Sequence, residues 1–132
     1  MKNIEIAVGA IIKKGDSILL VKRKKKHFLK YWSLPVGKLE YGEKAINGIK
    51  REIMEELGLT FIPKFCCYND SINVLHNRHF VVLYFVGLAR GKLELNTEEL
   101  REAQWFTLKD VLKMKLGFEH KIALEKYNMA KK

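Results

Sequence analysis

Cysteine is scarce in this chain: Cys66 and Cys67 are the only two, and they are adjacent. Side by side on a strand they would point to opposite faces, which argues against a disulfide or a thiolate metal site and leaves them as core residues. Long apolar runs are missing too. None reaches the length of a membrane span, and the start, MKNIEIAVGA, lacks a signal peptide's layout. The expectation is a cytoplasmic protein with no membrane partner. No repeat, low-complexity tract or linker interrupts the 132 residues, so one domain over 1–132 is expected, burying roughly two thirds of its unfolded surface. Arginine is sparse as well, with 20 lysines against five arginines in a net charge of +10. That charge would suit a polyanion, but Arg is the residue of bidentate phosphate recognition, so RNA is a possible partner and not the favoured one. The run Lys22-Arg23-Lys24-Lys25-Lys26-His27 is either a solvated loop or a landing place for an anionic substrate or RNA.

What the chain does have is a dense acidic segment, residues 37 to 59, GKLEYGEKAINGIKREIMEELGL. Glu43 to Leu57 are mostly good helix formers, and Gly58 stands where helices commonly end in a left-handed residue. At about 100° per residue, Ala45, Ile46, Ile49, Ile53 and Leu57 form an apolar stripe, with Glu52, Glu55 and Glu56 on a neighbouring one. The carboxylates therefore lie along the edge where the helix meets the rest of the fold. Like charges so placed repel, and their pKa values rise unless a cation is held among them. A divalent ion with oxygen preference is the natural partner, Mg²⁺ typically keeping waters and sharing substrate phosphates. The bland alternative is a solvated face paired with Lys44, Lys50 and Arg51. Gly48, one turn before Glu52, costs about 0.5–1 kcal/mol relative to Ala inside a helix. It provides either clearance for phosphates and metal or close packing against a strand.

Gly37, Glu43, Arg51, Glu52, Ile53, Glu55, Glu56, Gly58 and Leu59 follow the spacing G, five residues, E, seven residues, R-E-U-x-E-E-x-G-U, where U is bulky and apolar. This resembles the signature of the Nudix hydrolase family, MutT-like, with no mismatch at its nine fixed positions. W-S-L-P-V-G at 32 to 37 and E-A-Q-W-F at 102 to 106 extend the likeness, with Val36 where the family commonly has Gly. The resemblance implies an α/β fold, a Nudix-type α/β/α sandwich with a mixed β-sheet. It also implies Mg²⁺- or Mn²⁺-dependent hydrolysis of a pyrophosphate bond in a nucleoside diphosphate-linked substrate. Carried over by position, Glu52 and Glu56 are metal ligands and the Gly37 carbonyl a third. Glu55 either ligates metal or takes the proton from water. Arg51 orients a neighbouring carboxylate, and Glu43 fixes the loop against the helix start. A further catalytic carboxylate comes from the late loop, where Glu98, Glu99 and Glu102 compete and Glu99 is chosen. Arg23 and His79 are the candidates for substrate binding, although H-x-x-H at 76 to 79 reads more readily as a turn than as a metal site. Tyr31, Trp32 and Phe28 could stack on a base, with core packing preferred for Trp32 and for Trp105.

Alternation from Ile4 to Ile12 predicts a half-buried strand, returned antiparallel by Ser17 to Arg23 after a turn at 13–16. Tyr31 to Pro35 reads as a short strand, Leu59 to Tyr68 and Ile72 to Leu75 as extended pieces, and 76–79 as a turn. The apolar run Phe80 to Leu88 predicts a strand buried on both faces. A polar loop from Gly91 to Glu102 leads to a last strand, Ala103 to Phe106. Thr107 and Asp110 predict a capped helix ended by Gly117, then a final helix from Phe118 to Tyr127 and a frayed Lys131-Lys132 tail.

Among substrates, a nucleoside triphosphate cleaved to monophosphate and pyrophosphate is preferred, because the chain shows no extra N-terminal strand region. ADP-ribose or a nucleotide sugar, an RNA 5′-pyrophosphate, and a catalytically silent nucleotide- or RNA-binding module are the alternatives. The silent module would be marked by a damaged carboxylate set, and here the set is complete. Monomer and homodimer are both open.

Overall fold

A computed structural model describes residues 3–24 and 31–131. Lys25, Lys26 and His27 of the basic run, the stacking candidate Phe28, and Lys132 lie outside the described residues. The strands are β1 (Ile4–Lys14), β2 (Ser17–Arg23), β3 (Val36–Lys38), β4 (Thr60–Asn73), β5 (Arg78–Arg90) and β6 (Leu100–Thr107); the helices are α1 (Ala45–Leu57), α2 (Leu108–Val111) and α3 (His120–Lys131). The sheet runs β4-β5-β1-β2-β6, with β3 added beside β1. It is mixed, since β1 and β5 are parallel from Ile4↔His79 to Ile12↔Gly87 while the other pairs are antiparallel.

Helix α1 covers one face of this sheet and α3 the other, giving the α/β/α sandwich. Ile49, Ile53 and Leu57 pack on Val8, Ala10, Ile12, Leu19 and Val21, while Ala123, Leu124 and Tyr127 pack on Ala7, Ile11, Ile18, Leu20 and Tyr84. Each such aliphatic side chain contributes roughly 1.5–3 kcal/mol by leaving water. Strand β1 is therefore central, and all of Ala7 to Ile12 except Gly9 belong to the apolar core, with Gly9 buried beside them. That corrects the half-buried reading of β1: alternating residues face different helices, so both phases are apolar.

The edge of β1 is divided. Ala7, Val8 and Gly9 pair with Lys38, Gly37 and Val36 of β3, whereas Lys13 and Lys14 pair with Ile18 and Ser17 of β2. The sheet forks there, and the fork sets Gly37 beneath α1. The expected strand at Tyr31 to Pro35 is reduced to bridges at Trp32 and Ser33, and the strand proper begins at Val36. Pro35 has no N–H for a ladder, and its carbonyl accepts from Ala10 N at 2.9 Å.

Other boundaries differ for local reasons. The two extended pieces after α1 are one strand, β4, whose register slips between Phe65 and Cys67. This bulge overturns the expectation for the cysteines: both pack against the α3-side core, because the extra residue cancels the strand's alternation. Helix α2 opens as expected, with Thr107 Oγ1 accepting from Asp110 N at 3.2 Å, but it stops at Val111, before Gly117. Helix α3 begins at His120 and continues through Lys131, so Lys131 is not a frayed tail. Ile46 is 41% exposed and outside the buried stripe of α1. Trp105 is also exposed, on the edge strand β6, where Lys14 Nζ stands 5.7 Å from its ring.

Candidate active site

Local sequence dictates how α1 presents its carboxylates. The helix closes with Gly58 in the left-handed region (φ 68°), its N–H bonded to Met54 O at 3.0 Å. The polar loop after β5 satisfies two more end carbonyls: Asn96 N donates to Glu56 O at 2.9 Å and Glu94 N to Leu57 O at 2.8 Å. Docking that loop on the helix end brings Glu99 toward the acidic stripe.

Arg51 binds the segment together. Its Nε donates to Glu43 Oε2 at 2.7 Å and its Nη2 to Glu43 Oε1 at 3.0 Å, a bidentate pair. Nη1 donates to Glu52 Oε1 at 3.0 Å and Glu55 Oε2 at 3.2 Å, and Nη2 also reaches Lys38 O at 3.2 Å. Glu43 accepts from Glu40 N as well, so it ties the lead-in loop to the helix. The hydrogen bond from Arg51 holds the Glu43 carboxyl below its ordinary pKa.

Glu52 is half-buried over β3. A Cβ placed on Gly37 would overlap the Glu52 carboxylate, so the glycine is required here for close approach. Gly48 answers the open question about its role: a Cβ there would meet Leu39 Cδ1 at 2.6 Å and Glu43 Oε1 at 3.0 Å, so the helix packs on the lead-in loop. Burial raises the pKa of Glu52, against the opposing pull of Arg51 and with a further push from Glu55 and Glu99.

Glu56 is 1% exposed. Burial pushes its carboxyl up to about 7, opposed by Arg23 and reinforced by the charges of Glu52 and Glu99. Arg23 Nη2 donates to its Oε2 at 2.9 Å. Arg23 reaches that point from the end of β2, where the register with β6 slips between Lys22 and Arg23. Bulges beside active sites commonly re-aim side chains in this way. Among the described residues, Glu56 Oε1 and Arg23 Nη1 are buried without a hydrogen-bond partner.

The remaining candidates separate. Of the three late-loop carboxylates, Glu99 is the one whose charge acts on both Glu52 and Glu56; Glu98 N bonds Asn96 Oδ1, and Glu102 pairs with Lys22 at 4.0 Å. Glu55 is largely exposed at the rim. His79 lies elsewhere: it pairs with Ile4, whereas Gly37 pairs with Val8, and four residues along a strand is about 13 Å. It lines a groove of about 200 Å³ with Ile4, Ile72, Val74 and Arg78. Trp32 packs edge-on against Phe106 at 4.9 Å, beneath Lys22, in keeping with a packing role. The Arg23–Glu56 pair and the two capping amides of the loop had no signal in the sequence, because their partners lie far apart along the chain.

This donor set fits a hard divalent cation. Glu52 and Glu56 present carboxylate oxygens where burial disfavours their charge, and one of those oxygens is orphaned. Among the described residues no three ligating side chains close into a ready-made cage. Mg²⁺ suits such an open arrangement, because it commonly takes one or two carboxylates and completes its sphere with water and phosphate.

With the geometry in place, comparison with known proteins defines the class. The NUDIX domain model matches residues 4–127, and the chain belongs to that family. It is 32% identical over 126 residues to an ADP-ribose pyrophosphatase of Methanocaldococcus jannaschii, covering 92% of this chain and 72% of the relative. It is 32% identical over 111 residues to an 8-oxo-dGTP diphosphatase of Buchnera aphidicola, covering 84% and 82%. A MutT NUDIX hydrolase structure from Burkholderia pseudomallei superposes with a TM-score of 0.87 at 30% identity, covering 94% of this chain and 98% of that one. Pyrophosphohydrolase activity accompanies this membership, and the complete carboxylate set argues against a silent module.

Proposed function

We propose that this protein hydrolyses a nucleoside triphosphate to the monophosphate and pyrophosphate, with Mg²⁺ or Mn²⁺ held by Glu52, Glu56 and the Gly37 carbonyl. The observation that carries the metal-dependent reading is the buried Glu56 carboxylate, with one oxygen on Arg23 and the other without a partner among the described residues. The triphosphate is preferred because the match to the 8-oxo-dGTP diphosphatase covers most of both chains, whereas the ADP-ribose pyrophosphatase is the longer protein. The identity to the latter keeps ADP-ribose as the second reading.

A bound divalent ion would neutralise charge on the nonbridging phosphate oxygens and lower the pKa of attacking water. The chain's own residues do the rest. Arg51 holds Glu43, Glu52 and Glu55 in a fixed array, so the ligands are set before substrate arrives. Glu55, at the rim, and Glu99, on the late loop, are the two candidates to accept a proton from water. Arg23 Nη1 is a buried donor suited to an anionic oxygen of the substrate. His79 takes no part in this centre and would contact only a remote portion of a long substrate.

The test is initial-rate measurement with Mg²⁺ on dGTP, 8-oxo-dGTP, ADP-ribose, dinucleoside polyphosphates and 5′-triphosphate RNA. Pyrophosphate release from a triphosphate at a kcat/KM about tenfold or more above ADP-ribose turnover is expected, and the reverse order would replace the first reading by the second. Glu56→Gln should lower kcat by about 10³, the scale of several kcal/mol of lost charge stabilisation.

A further inference from the structure

Arg23 is chemically unusual among the residues near the acidic stripe, because it is a buried cation whose visible partner is itself expected to bind a cation. Its side chain is 13% exposed and that of Glu56 is 1% exposed, and the ion pair measures 2.9 Å. We propose that Arg23 is a positioning residue that grips Glu56 Oε2, so that Oε1 alone is presented to the divalent ion. This deepens the reading above and rests on Glu56 being a ligand.

Three observations support it. The terminal torsion of a Glu side chain is broad and roughly two-fold, so an untethered carboxylate turns freely between one-oxygen and two-oxygen ligation. A charge-assisted bond to one oxygen removes that freedom, and here the other oxygen is the buried one without a partner among the described residues. Second, the guanidinium starts from a fixed point. The register slip turns Arg23 toward α1, and the next residue is secured by Lys24 N donating to Glu99 O at 3.0 Å. Third, the backbone that carries Glu56 is fixed as well, because its carbonyl accepts from Asn96 N at 2.9 Å. Strand, helix and loop thus meet at one residue, the strand through the carboxylate and the loop through the backbone.

A simple countercharge would behave differently. A cation that only neutralised Glu56 would repel an incoming divalent ion, and its removal would tighten metal binding. A positioning residue does the opposite: its removal loosens the ligand and weakens binding. Lys cannot substitute, because an ammonium is a point charge without the planar fork that fixes direction.

The experiment is Mn²⁺ titration of the substrate-free protein, followed by electron paramagnetic resonance, for wild type, R23A, R23K, E56Q and the R23A/E56Q double variant. Arg23→Ala should weaken Mn²⁺ binding about 10- to 100-fold, the usual consequence of removing an outer partner of a metal ligand. Arg23→Lys should recover little of that loss. In the Glu56→Gln background Arg23→Ala should cost nothing further, since Arg23 acts through Glu56. Wild-type or tighter binding in Arg23→Ala, full rescue by Lys, or additive losses in the double variant would overturn the proposal. Near-UV circular dichroism checks each fold; should Arg23→Ala not fold, Arg23→Lys decides alone, by weakened or by wild-type binding. If Glu56→Gln binds Mn²⁺ like wild type, the ligand reading itself fails and takes this inference with it. Weak binding by Glu56→Gln beside normal binding by Arg23→Ala sinks the positioning role only.

Discussion

Both faces of the sheet bury polar side chains, and they do so to different ends. On the α3 face the buried groups are neutral and meet each other. Tyr84 OH and His120 Nδ1 are 2.8 Å apart, Asn69 Nδ2 donates to Glu119 O at 3.3 Å, and Lys126 Nζ comes in from the surface to Asn69 Oδ1 at 3.0 Å. Burial pushes His120 down to about 3, helped by the charge of Arg23, so the ring stays neutral. On the α1 face the buried groups are carboxylates whose ionisation burial opposes, and one oxygen is left over. Burial of polar groups therefore does not mark the site. A buried carboxylate held through one oxygen only does.

The two faces should also respond to acid with opposite sign in the metal-free protein. The pKa of Glu56 is raised in the fold, so its contribution to stability is full below its unfolded value near 4.5 and is lost as pH rises through about 7. The pKa of His120 is lowered, so its contribution is present above its unfolded value near 6.5 and is lost as pH falls toward about 3.

Short of removing the Glu56 charge, which should cost about 10³ in kcat, the contrast is broken most severely at Gly37. Gly37→Ala should cut kcat about 100-fold, the effect of displacing a reacting group by roughly an ångström, while the melting temperature moves by only a few degrees because the Glu52 side chain can swing aside. Equal loss of stability and activity would show Gly37 to be merely structural. Next is Glu56→Gln without metal. Roughly 1–3 kcal/mol of added stability is expected at pH 8, shrinking by pH 5, as read from urea unfolding at the two pH values. Mn²⁺ should raise the melting temperature of wild type and much less that of this variant. An unchanged or lower stability at pH 8 would mean that Glu56 carries no strain of charge. The smallest effect belongs to the other face. Tyr84→Phe should cost about 1–2 kcal/mol by leaving His120 without its phenol partner, with kcat/KM within about threefold of wild type. A large activity loss there would join the two faces into one functional unit.

Much of the acidic segment was legible because helical geometry is local. The αL end at Gly58 and the shared stripe of Glu52, Glu55 and Glu56 follow from residues within one helix. Strand β2 and the cap of α2 were legible for the same reason. The cysteines were misread because a bulge is invisible to a rule of alternation. Trp105 was misread because nothing in E-A-Q-W-F tells that its strand lies at the edge of the sheet. β1 was misread because alternation cannot show that both faces will be covered.

By itself the amino-acid order determined which side chains share the acidic stripe, where the helix carrying them ends, and the family to which the pattern belongs. Those features depend on contacts within a few residues, and short-range geometry is the same in any fold that contains the helix. Only the tertiary structure decided that Arg23, 33 positions from Glu56, would pair with it, that Gly37 would lie against Glu52, and that a loop near residue 96 would cap the helix. Each of those contacts joins segments remote in sequence, which come together only when the helices and the sheet pack.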